Sequence, residues 1–422
     1  MKKVYNIILF LLFSTIFLIT GLMAYWIIRP NTSFVDPSLG LESWDVPMQS
    51  SHDAFTDMVY WNGEFYLSFR SATIHSPIDD SKITVLKSPD AKNWTKSGEF
   101  SVVGTDVRDP KMAVIGTQLF IYVELRQIGT YGEGEITTTQ YSYTDDGENW
   151  AELTDILPAN KRFWRPKTNN SIYWYCPIFE DEKIELYNSS DGINWIKVST
   201  LLDGQGANEV DIEFLPDGRI IAIIRQEFGV DITGTIIAVS NYAYTNWTYN
   251  QITYSRLDGP CLFSYNSKIY AVARWQPELD PFFQVLGSVF SKKRTSLYLI
   301  DINNITYLSD LPSQGDTSYP AAVKVGSTIY ISYYTNDPLW DFPWFLGSIM
   351  PTRIRIAKFS GSNLENLANA RYTEPAIVPS FPWLDYVFFF GLIPISLLIS
   401  FKLSTKWKNK QIIKKKIKTE TR

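Results

Sequence analysis

The sequence predicts an all-β fold: a six-bladed β-propeller with an apolar span at each end. Three observations predict it. Six segments, each about 15 residues long, read as strand–turn–strand hairpins spaced along residues 51–360. Stretches between them end in a shared motif at intervals that suit a four-stranded blade. No long amphipathic helical pattern occurs between about residues 50 and 360.

The hairpins come first. They read "DMVYWNGEFYLSFR" (57–70), "DPKMAVIGTQLFIYVELR" (109–126), "KTNNSIYWYCPIF" (167–179), "NEVDIEFLPDGRIIAIIR" (208–225), "PCLFSYNSKIYAVAR" (260–274) and "SYPAAVKVGSTIYISYY" (318–334). Each has turn-forming residues at its middle and apolar residues on either side. The fourth turns at Pro216-Asp217-Gly218. If Leu215 opposes Arg219, the same register sets Glu209 opposite Arg225 at the open end.

The shared motif is Ser/Thr-x-Asp-Gly/Ala-x-x-Trp. It ends at Trp94 ("SPDAKNW"), Trp150 ("TDDGENW") and Trp195 ("SSDGINW"), with a degraded copy, "SNYAYTNW", at Trp247. The Trp spacings are 56, 45 and 52 residues. Its Ser and Asp tie the backbone of the turn, Gly supplies a positive φ, and Trp packs between blades. The motif therefore marks the rim and is not a reactive site.

The ends differ from the middle. Ile7 to Ile28 carries no charge and is flanked by Lys2, Lys3 and Arg29, so an uncleaved anchor is expected within residues 1–30, with a cleaved signal peptide as the rival reading. Residues 383–403 form a second span, followed by a basic tail over 404–422. Residues 31–50 and 361–382 read as linkers. Positive flanks at both ends place both termini in the cytoplasm and the propeller outside the cell membrane. Two transmembrane helices then make the lipid bilayer a partner.

The net charge is -5; the N-terminal flank holds +3 and the segment from Trp383 onward +7, leaving about -15 for the middle. A domain that acidic is not expected to bind nucleic acid. Cys176 and Cys261 stand 85 residues apart without metal-ligand spacing, and buried thiols are expected. The 15% aromatic content suits both strands and carbohydrate sites.

Candidate site residues follow from the repeat. Arg70, Arg126, Arg225 and Arg274 each close an opening hairpin. Asp53, Asp57, Asp109, Glu209 and Asp316 fall near hairpin openings. Innermost strands surround a propeller's channel, so these charges should meet at one mouth, as a ligand site or as an internal salt-bridge ring. The chain's two histidines, His52 and His75, flank the first hairpin and point to acid–base or hydrogen-bonding work. Their spacing is not metal-like; no metal or cofactor is expected.

These residues resemble the sialidase superfamily, the Asp-box glycosidases, over about residues 50–360. The segment "NEVDIEFLPDGRIIAIIR" is similar to the one carrying the family's catalytic Glu and a carboxylate-binding Arg, which implies Glu209 as base and Arg225 in an arginine triad. "DTSYPAAVKVGSTIYISYY" is similar to the segment with the nucleophilic Tyr, here Tyr319. Arg294, in "KKRTSLYLI", resembles the third triad arginine, with Arg274 as the alternative. The family's acid–base residue follows the first hairpin, where His75, Asp79 and Asp80 stand. "DVRDPKM" adds Arg108 as a substrate contact. The family's first-blade Arg-Ile-Pro has no counterpart; "SSHDAFTDMV" stands in its place. For a neutral substrate, Asp53 or Asp109 with Glu209 would supply two carboxylates. The resemblance implies a membrane-anchored exo-glycosidase acting on an acidic sugar or related extracytoplasmic glycan. The alternatives are a non-catalytic glycan-binding propeller and a structural surface propeller. Two apolar insertions, 280–290 and 337–350, are expected to wall the site, touch the bilayer or pack on each other.

Overall fold

The computed structural model describes residues 34–127, 136–227, 234–253, 255–275, 292–337 and 342–371, with scattered positions near the termini. The chain divides into two units, Met1–Thr32 with Pro379–Arg422, and Ser33–Val378.

The second unit is an all-β propeller. Its strands form four sheets of four strands and one sheet of eight. The four-stranded sheets start at Thr105–Ile115, Arg162–Phe163, Ala207–Phe214 and Asp258–Tyr265. Each is an antiparallel meander, as hairpins with short turns dictate. The eight-stranded sheet is two such meanders. One starts at His52–Trp61 and ends at Thr95–Phe100. The other runs Thr317–Val325, Thr328–Asn336, Thr352–Ser360 and takes Glu42–Asp45 as its fourth strand. A single parallel bridge, His52 with Thr352, joins the two. A strand from before the first meander thus completes the last one, which closes the chain on itself.

The strand Ile220–Gln226 shows why the sequence packs this way. Ile220, Ala222 and Ile224 bury against Ile184, Leu186 and Leu201 of the preceding sheet. Ile221 and Ile223 bury against Leu262, Ile269 and Ala271 of the following one. Successive side chains point to opposite faces of a strand. A sheet sandwiched on both faces therefore reads as a continuous apolar run rather than an alternation.

The Asp-containing turns have the expected bonding. Asp90 accepts from the Lys92 and Asn93 amides at 2.9 and 2.8 Å, and Asp146 and Asp191 repeat the pattern. Gly147 sits at φ +74°, where a Cβ would stand 2.1 Å from the Tyr66 hydroxyl. A side chain there is excluded by both backbone and space.

The two segments read as linkers are partly structured. Residues 31–50 contribute the 3-10 turn Pro37–Leu39 and the strand Glu42–Asp45. Residues 361–382 begin with the helix Gly361–Arg371, whose Leu364, Leu367 and Ala368 pack with Leu39 and Phe359. No helix among the described residues is long and apolar enough to cross a membrane. The second span and much of the first lie outside the described residues, as does the insertion 280–290. Cys176 and Cys261 are free and buried.

Candidate active site

Each meander's innermost strand carries a β-bulge near its start. The register slips between Ala54 and Asp57, Arg108 and Lys111, Ala207 and Val210, Asp258 and Cys261, and Ser318 and Ala321. In the third meander Phe163 pairs with Ile178 and Lys167 with Tyr175, so three residues face two. A bulge frees its residue from the ladder and re-aims the side chain. The bulged residues include Phe55, Asp109, Gly259 and Tyr319, all at positive φ. For Phe55, Asp109 and Tyr319 that conformation is strained and is held by the surrounding sheet. Four bulges have proline at the same place, after Asp109, Arg165, Gly259 and Tyr319. Proline cannot donate to a ladder, so this recurrence was the sequence signal for the bulges.

The fourth bulge alters the expected register. Val210 to Phe214 pair with Ile224 to Ile220 as Leu215 opposite Arg219 requires, but Ala207 already pairs with Gln226. Glu209 is therefore bulged rather than a ladder partner of Arg225. The ion pair forms nonetheless, with Arg225 Nη1 2.9 Å from Glu209 Oε2.

Glu209 and Tyr319 meet across the mouth. The Tyr319 hydroxyl donates to Glu209 Oε1. The Gly259 amide donates to Glu209 Oε2 at 2.7 Å. The Tyr319 ring lies edge to Phe55, and the Arg274 guanidinium stands 5.5 Å from its centre. Burial pushes the Glu209 carboxyl up from its ordinary range, against the pull of Arg225. Burial and the Glu209 charge push the Tyr319 phenol well above its own. A carboxylate so placed is a stronger base than one in water, and its partner is the hydroxyl it would deprotonate.

Charges of both signs continue around the mouth. Every nitrogen of Arg225 has a partner: besides the Nη1 pair with Glu209, Nε donates to Asn208 at 2.6 Å and Nη2 pairs with Glu227 at 2.8 Å. Arg256 grips Asp258 through Nε and Nη2 at 2.6 and 3.0 Å. Arg274 reaches Asp258 at 3.4 Å and Asp316 at 3.8 Å, but among the described residues its Nε and Nη1 have no hydrogen-bond partner. Lys293 Nζ is buried beside them without a hydrogen-bond partner among the described residues, and burial pushes its ammonium well below the usual range. Arg256, Glu227 and Lys293 escaped the sequence reading because they lie outside the hairpin ends that the repeat marks.

His52, His75 and Asp316 also come together. His75 Nδ1 and His52 Nε2 lie 2.6 and 3.1 Å from the same oxygen, Asp316 Oδ2. Tyr334 and Trp344 donate to Asp316 Oδ1 at 2.8 and 2.9 Å. Burial works to raise the Asp316 carboxyl, but the two histidines outweigh it and hold it well below its usual range. One donor atom from each of the three residues lies within 4.8 Å of the others, a grouping their sequence spacing conceals. Both ring nitrogens facing Asp316 are spent on hydrogen bonds. Trp344 belongs to the short helix Trp344–Gly347, in the described part of the insertion 337–350. Its ring is 5.1 Å from that of His75, and Ser348 O accepts from the His75 amide at 3.1 Å. The insertion thus walls this side of the mouth.

Other expected residues are held by partners within the protein. Asp53 accepts from the Gln49 amide at 2.7 Å and the Ser50 hydroxyl at 2.7 Å, and so holds a turn. Arg70 is completely buried; it grips Asp106 and donates to Ile74 O and Ser76 O at 2.8 and 3.0 Å. It therefore holds the loop on both sides of His75. Arg108 pairs with Asp106 and Asp109 and lies over the Phe55 ring. Arg126 pairs with Glu124. Arg294 is completely buried in the fifth meander, where its charge acts on Asp310; Arg274 takes the place beside Tyr319. Asp57 and Asp211 accept amides of the next meander, Met112 at 2.7 Å and Leu262 at 2.7 Å. Arg165 joins both carboxylates at 3.2 Å and donates to Pro320 O at 3.0 Å. A cavity of about 210 Å³ is lined by Asp57, Met112, Arg165, Lys167, Cys261 and Ala321, but by neither Glu209 nor Tyr319.

No protein-family model matches the sequence, nor does any curated protein sequence. The chain is similar in structure to a protein of unknown function from Dyadobacter fermentans, with a TM-score of 0.60 and 15% identity over 76% of this chain and 99% of that one. It is also similar to Trypanosoma rangeli sialidase in complex with the inhibitor DANA, with a TM-score of 0.56 and 11% identity over 78% of this chain and 61% of that one. The same sialidase with 2,3-difluorosialic acid, as a covalent intermediate, gives a TM-score of 0.55 at 10% identity over 80% and 61%. The chain spans about three-fifths of the length of those sialidases. At such identities the likeness carries the propeller fold.

Proposed function

We propose that the protein is a six-bladed, sialidase-like exo-glycosidase in which Tyr319 is the nucleophile and Glu209 its base. The blade count takes the eight-stranded sheet as two blades joined at the His52–Thr352 bridge. The observation that carries the chemistry is the Tyr319–Glu209–Arg225 constellation. Glu209 takes the phenolic proton as the Tyr319 oxygen attacks the anomeric carbon, so a neutral group reaches a sugar that bears its own negative charge. The structural similarity to sialidases supports the reading at the level of the fold.

The substrate is an acidic sugar or a related extracytoplasmic glycan. Each nitrogen of Arg225 already meets Asn208, Glu209 or Glu227, whereas among the described residues buried Arg274 Nε and Nη1 and Lys293 Nζ find no hydrogen-bond partner. Buried donors left unpaired are costly, and an anionic substituent would satisfy them. The basic flanks of the two apolar spans support a propeller held outside the membrane with both termini in the cytoplasm.

The test is a panel of 4-nitrophenyl glycosides, acidic and neutral, with wild type, Tyr319→Phe and Glu209→Gln. Wild type should cleave an acidic member. Each variant should lose about 100-fold or more in kcat/KM, the scale of a lost acid–base partner. Full activity in Tyr319→Phe would refute the Tyr mechanism. Glycan binding without cleavage by wild type would favour a binding propeller.

A further inference from the structure

Resting on the hydrolase reading, we infer that His75, held by Asp316, is the proton donor to the departing group and the base for the incoming water. Several observations converge on it. His75 is the partly open member of its cluster, with 18% of its side chain exposed, whereas His52 and Asp316 are sealed at 0%. Its Nδ1 is committed to Asp316, so Nε2 is the nitrogen left for a substrate. A carboxylate on one ring nitrogen fixes the tautomer and supports the imidazolium. Asp316 is itself immobilised by Tyr334, Trp344 and the Asn336 side chain, which accepts from the Asp316 amide at 2.6 Å.

The dyad also belongs to the same mouth as the nucleophile. The Phe55 ring lies 5.1 Å from His75 and 4.9 Å from Tyr319, edge-on to both. Arg274 reaches Asp316 and lies over Tyr319. Arg70 clamps the carbonyls on either side of His75. Of the other acidic candidates, Asp53 is spent on its turn, Asp79 and Asp80 lie in the exposed part of the loop, and Asp109 pairs with Arg108 through Oδ2 at 3.2 Å.

The step balances. Nε2–H of the His75 imidazolium gives its proton to the glycosidic oxygen as the bond from that oxygen to the anomeric carbon breaks. The Tyr319 oxygen forms the new bond to that carbon, and its proton passes to Glu209. In the second half, neutral His75 takes a proton from water, whose oxygen attacks the anomeric carbon. The bond to Tyr319 breaks, and Glu209 returns the proton to the phenol.

The groups facing His75 set the pH range. Asp316 from the last blade supports the charged ring; His52 from the first blade and Arg108 from the second oppose it. Burial is the largest influence and pulls the imidazolium below its ordinary 6.5. Glu209 must be ionised, and burial lifts it above its ordinary 4.5. The kcat/KM profile should therefore be a narrow bell between these limits, with the alkaline limb belonging to His75.

Two measurements test the dyad. With only two histidines in the chain, ¹⁵N-histidine NMR reads each ring separately. His75 should be the Nδ1–H tautomer when neutral, and Asp316→Asn should lower its pKa by at least about one unit, since it removes a neighbouring charge. Tyr334→Phe, which removes one donor from Asp316 and leaves its carboxylate more basic, should move the His75 pKa the other way, upward, and serves if Asp316→Asn does not fold. A His75 titration indifferent to both variants overturns the inference whatever the substrate. The second measurement uses His75→Gln on two glycosides of whichever sugar wild type cleaves. On the methyl glycoside kcat/KM should fall by about 100-fold or more; on the 4-nitrophenyl glycoside, which leaves without help, it should fall by less than about 5-fold. Sodium azide, which needs no base, should restore kcat on the latter. Equal losses on both glycosides, or loss of wild-type activity in EDTA with recovery on adding Zn²⁺, would overturn the proton-donor role. If wild type cleaves no glycoside while the NMR result holds, the hydrolase reading fails and the dyad stands without it.

Discussion

Replacing Arg165 by Met tests whether one buried cation staples the propeller. The residue is 8% exposed, and its side chain joins Asp57 of the first meander, Asp211 of the fourth and Pro320 O of the last. Burial works against its charge, but Asp57 and Asp211 outweigh that and hold it protonated. Met keeps the unbranched stem as far as Nε and removes the rest of the guanidinium. Two sealed carboxylates are left behind. Removing one partner of a buried ion pair costs about 3–5 kcal/mol. Here the lower end applies. Asp57 keeps the Met58 and Met112 amides at 3.0 and 2.7 Å, and Asp211 keeps the Ile212 and Leu262 amides at 3.0 and 2.7 Å. Lys167 Nζ, 3.9 Å from Asp211, also remains. A loss of about 3 kcal/mol at about 2 °C per kcal/mol predicts a Tm about 6 °C lower. Differential scanning fluorimetry reads this directly, with Arg165→Lys expected to recover part of it. A Tm within about 2 °C of wild type would show that the backbone amides alone satisfy the two carboxylates.

Two further outcomes follow from the same geometry. Gly259 sits at φ +55°, its amide holds Glu209, and an added Cβ would lie 3.1 Å from Tyr319 Cγ. Gly259→Ala should cost about 1–2 kcal/mol in backbone strain and displace the nucleophile, lowering kcat more than it changes KM; unchanged kcat would contradict the placement of Tyr319. Glu185 is pulled down to about 2 because Lys161 and Lys197 outweigh the effect of burial. Its folded value lies below its unfolded one, so its contribution is complete above about pH 4.5 and fades as pH falls towards 2. The Tm of Glu185→Gln should thus fall less than that of wild type between pH 5 and 3, and parallel curves would remove Glu185 as the cause.

Much of the architecture was legible from local chemistry. Alternating and continuous apolar runs, turn residues and the Asp-containing turns are short-range features, and their physics acts within a few residues. That is why the hairpins and the rim turns appear in the sequence much as they stand in the fold. The pairing of Leu215 with Arg219 is of the same kind: a tight turn sets it. Glu209 and Tyr319 were nameable because each sits at a hairpin opening that the repeat marks, and the family resemblance gave them roles.

Other parts depended on contacts between residues far apart in the chain. Glu42–Asp45 reads as a linker because its partner, Thr352–Ser360, is some 300 residues away. Arg165 stood just before the third hairpin as delimited from sequence, and only closure of the ring brings Asp57, Asp211 and Pro320 to it. Arg70 looked like a binding arginine by position, yet burial turned it into the clamp of the His75 loop. Arg274, not Arg294, stands beside Tyr319, because alternation along the fifth meander's strands and the approach of the last blade decide which guanidinium reaches the mouth. His52 and His75 lie 241 or more residues from Asp316, and sequence spacing holds no trace of their meeting. The sequence by itself determined the elements, the turns and the residue types at the mouth, since these follow from local backbone preference and hydrophobic pattern. The tertiary structure decided which charges pair, which are buried and which face the substrate, because electrostatics and desolvation depend on distances that only a closed ring of sheets sets.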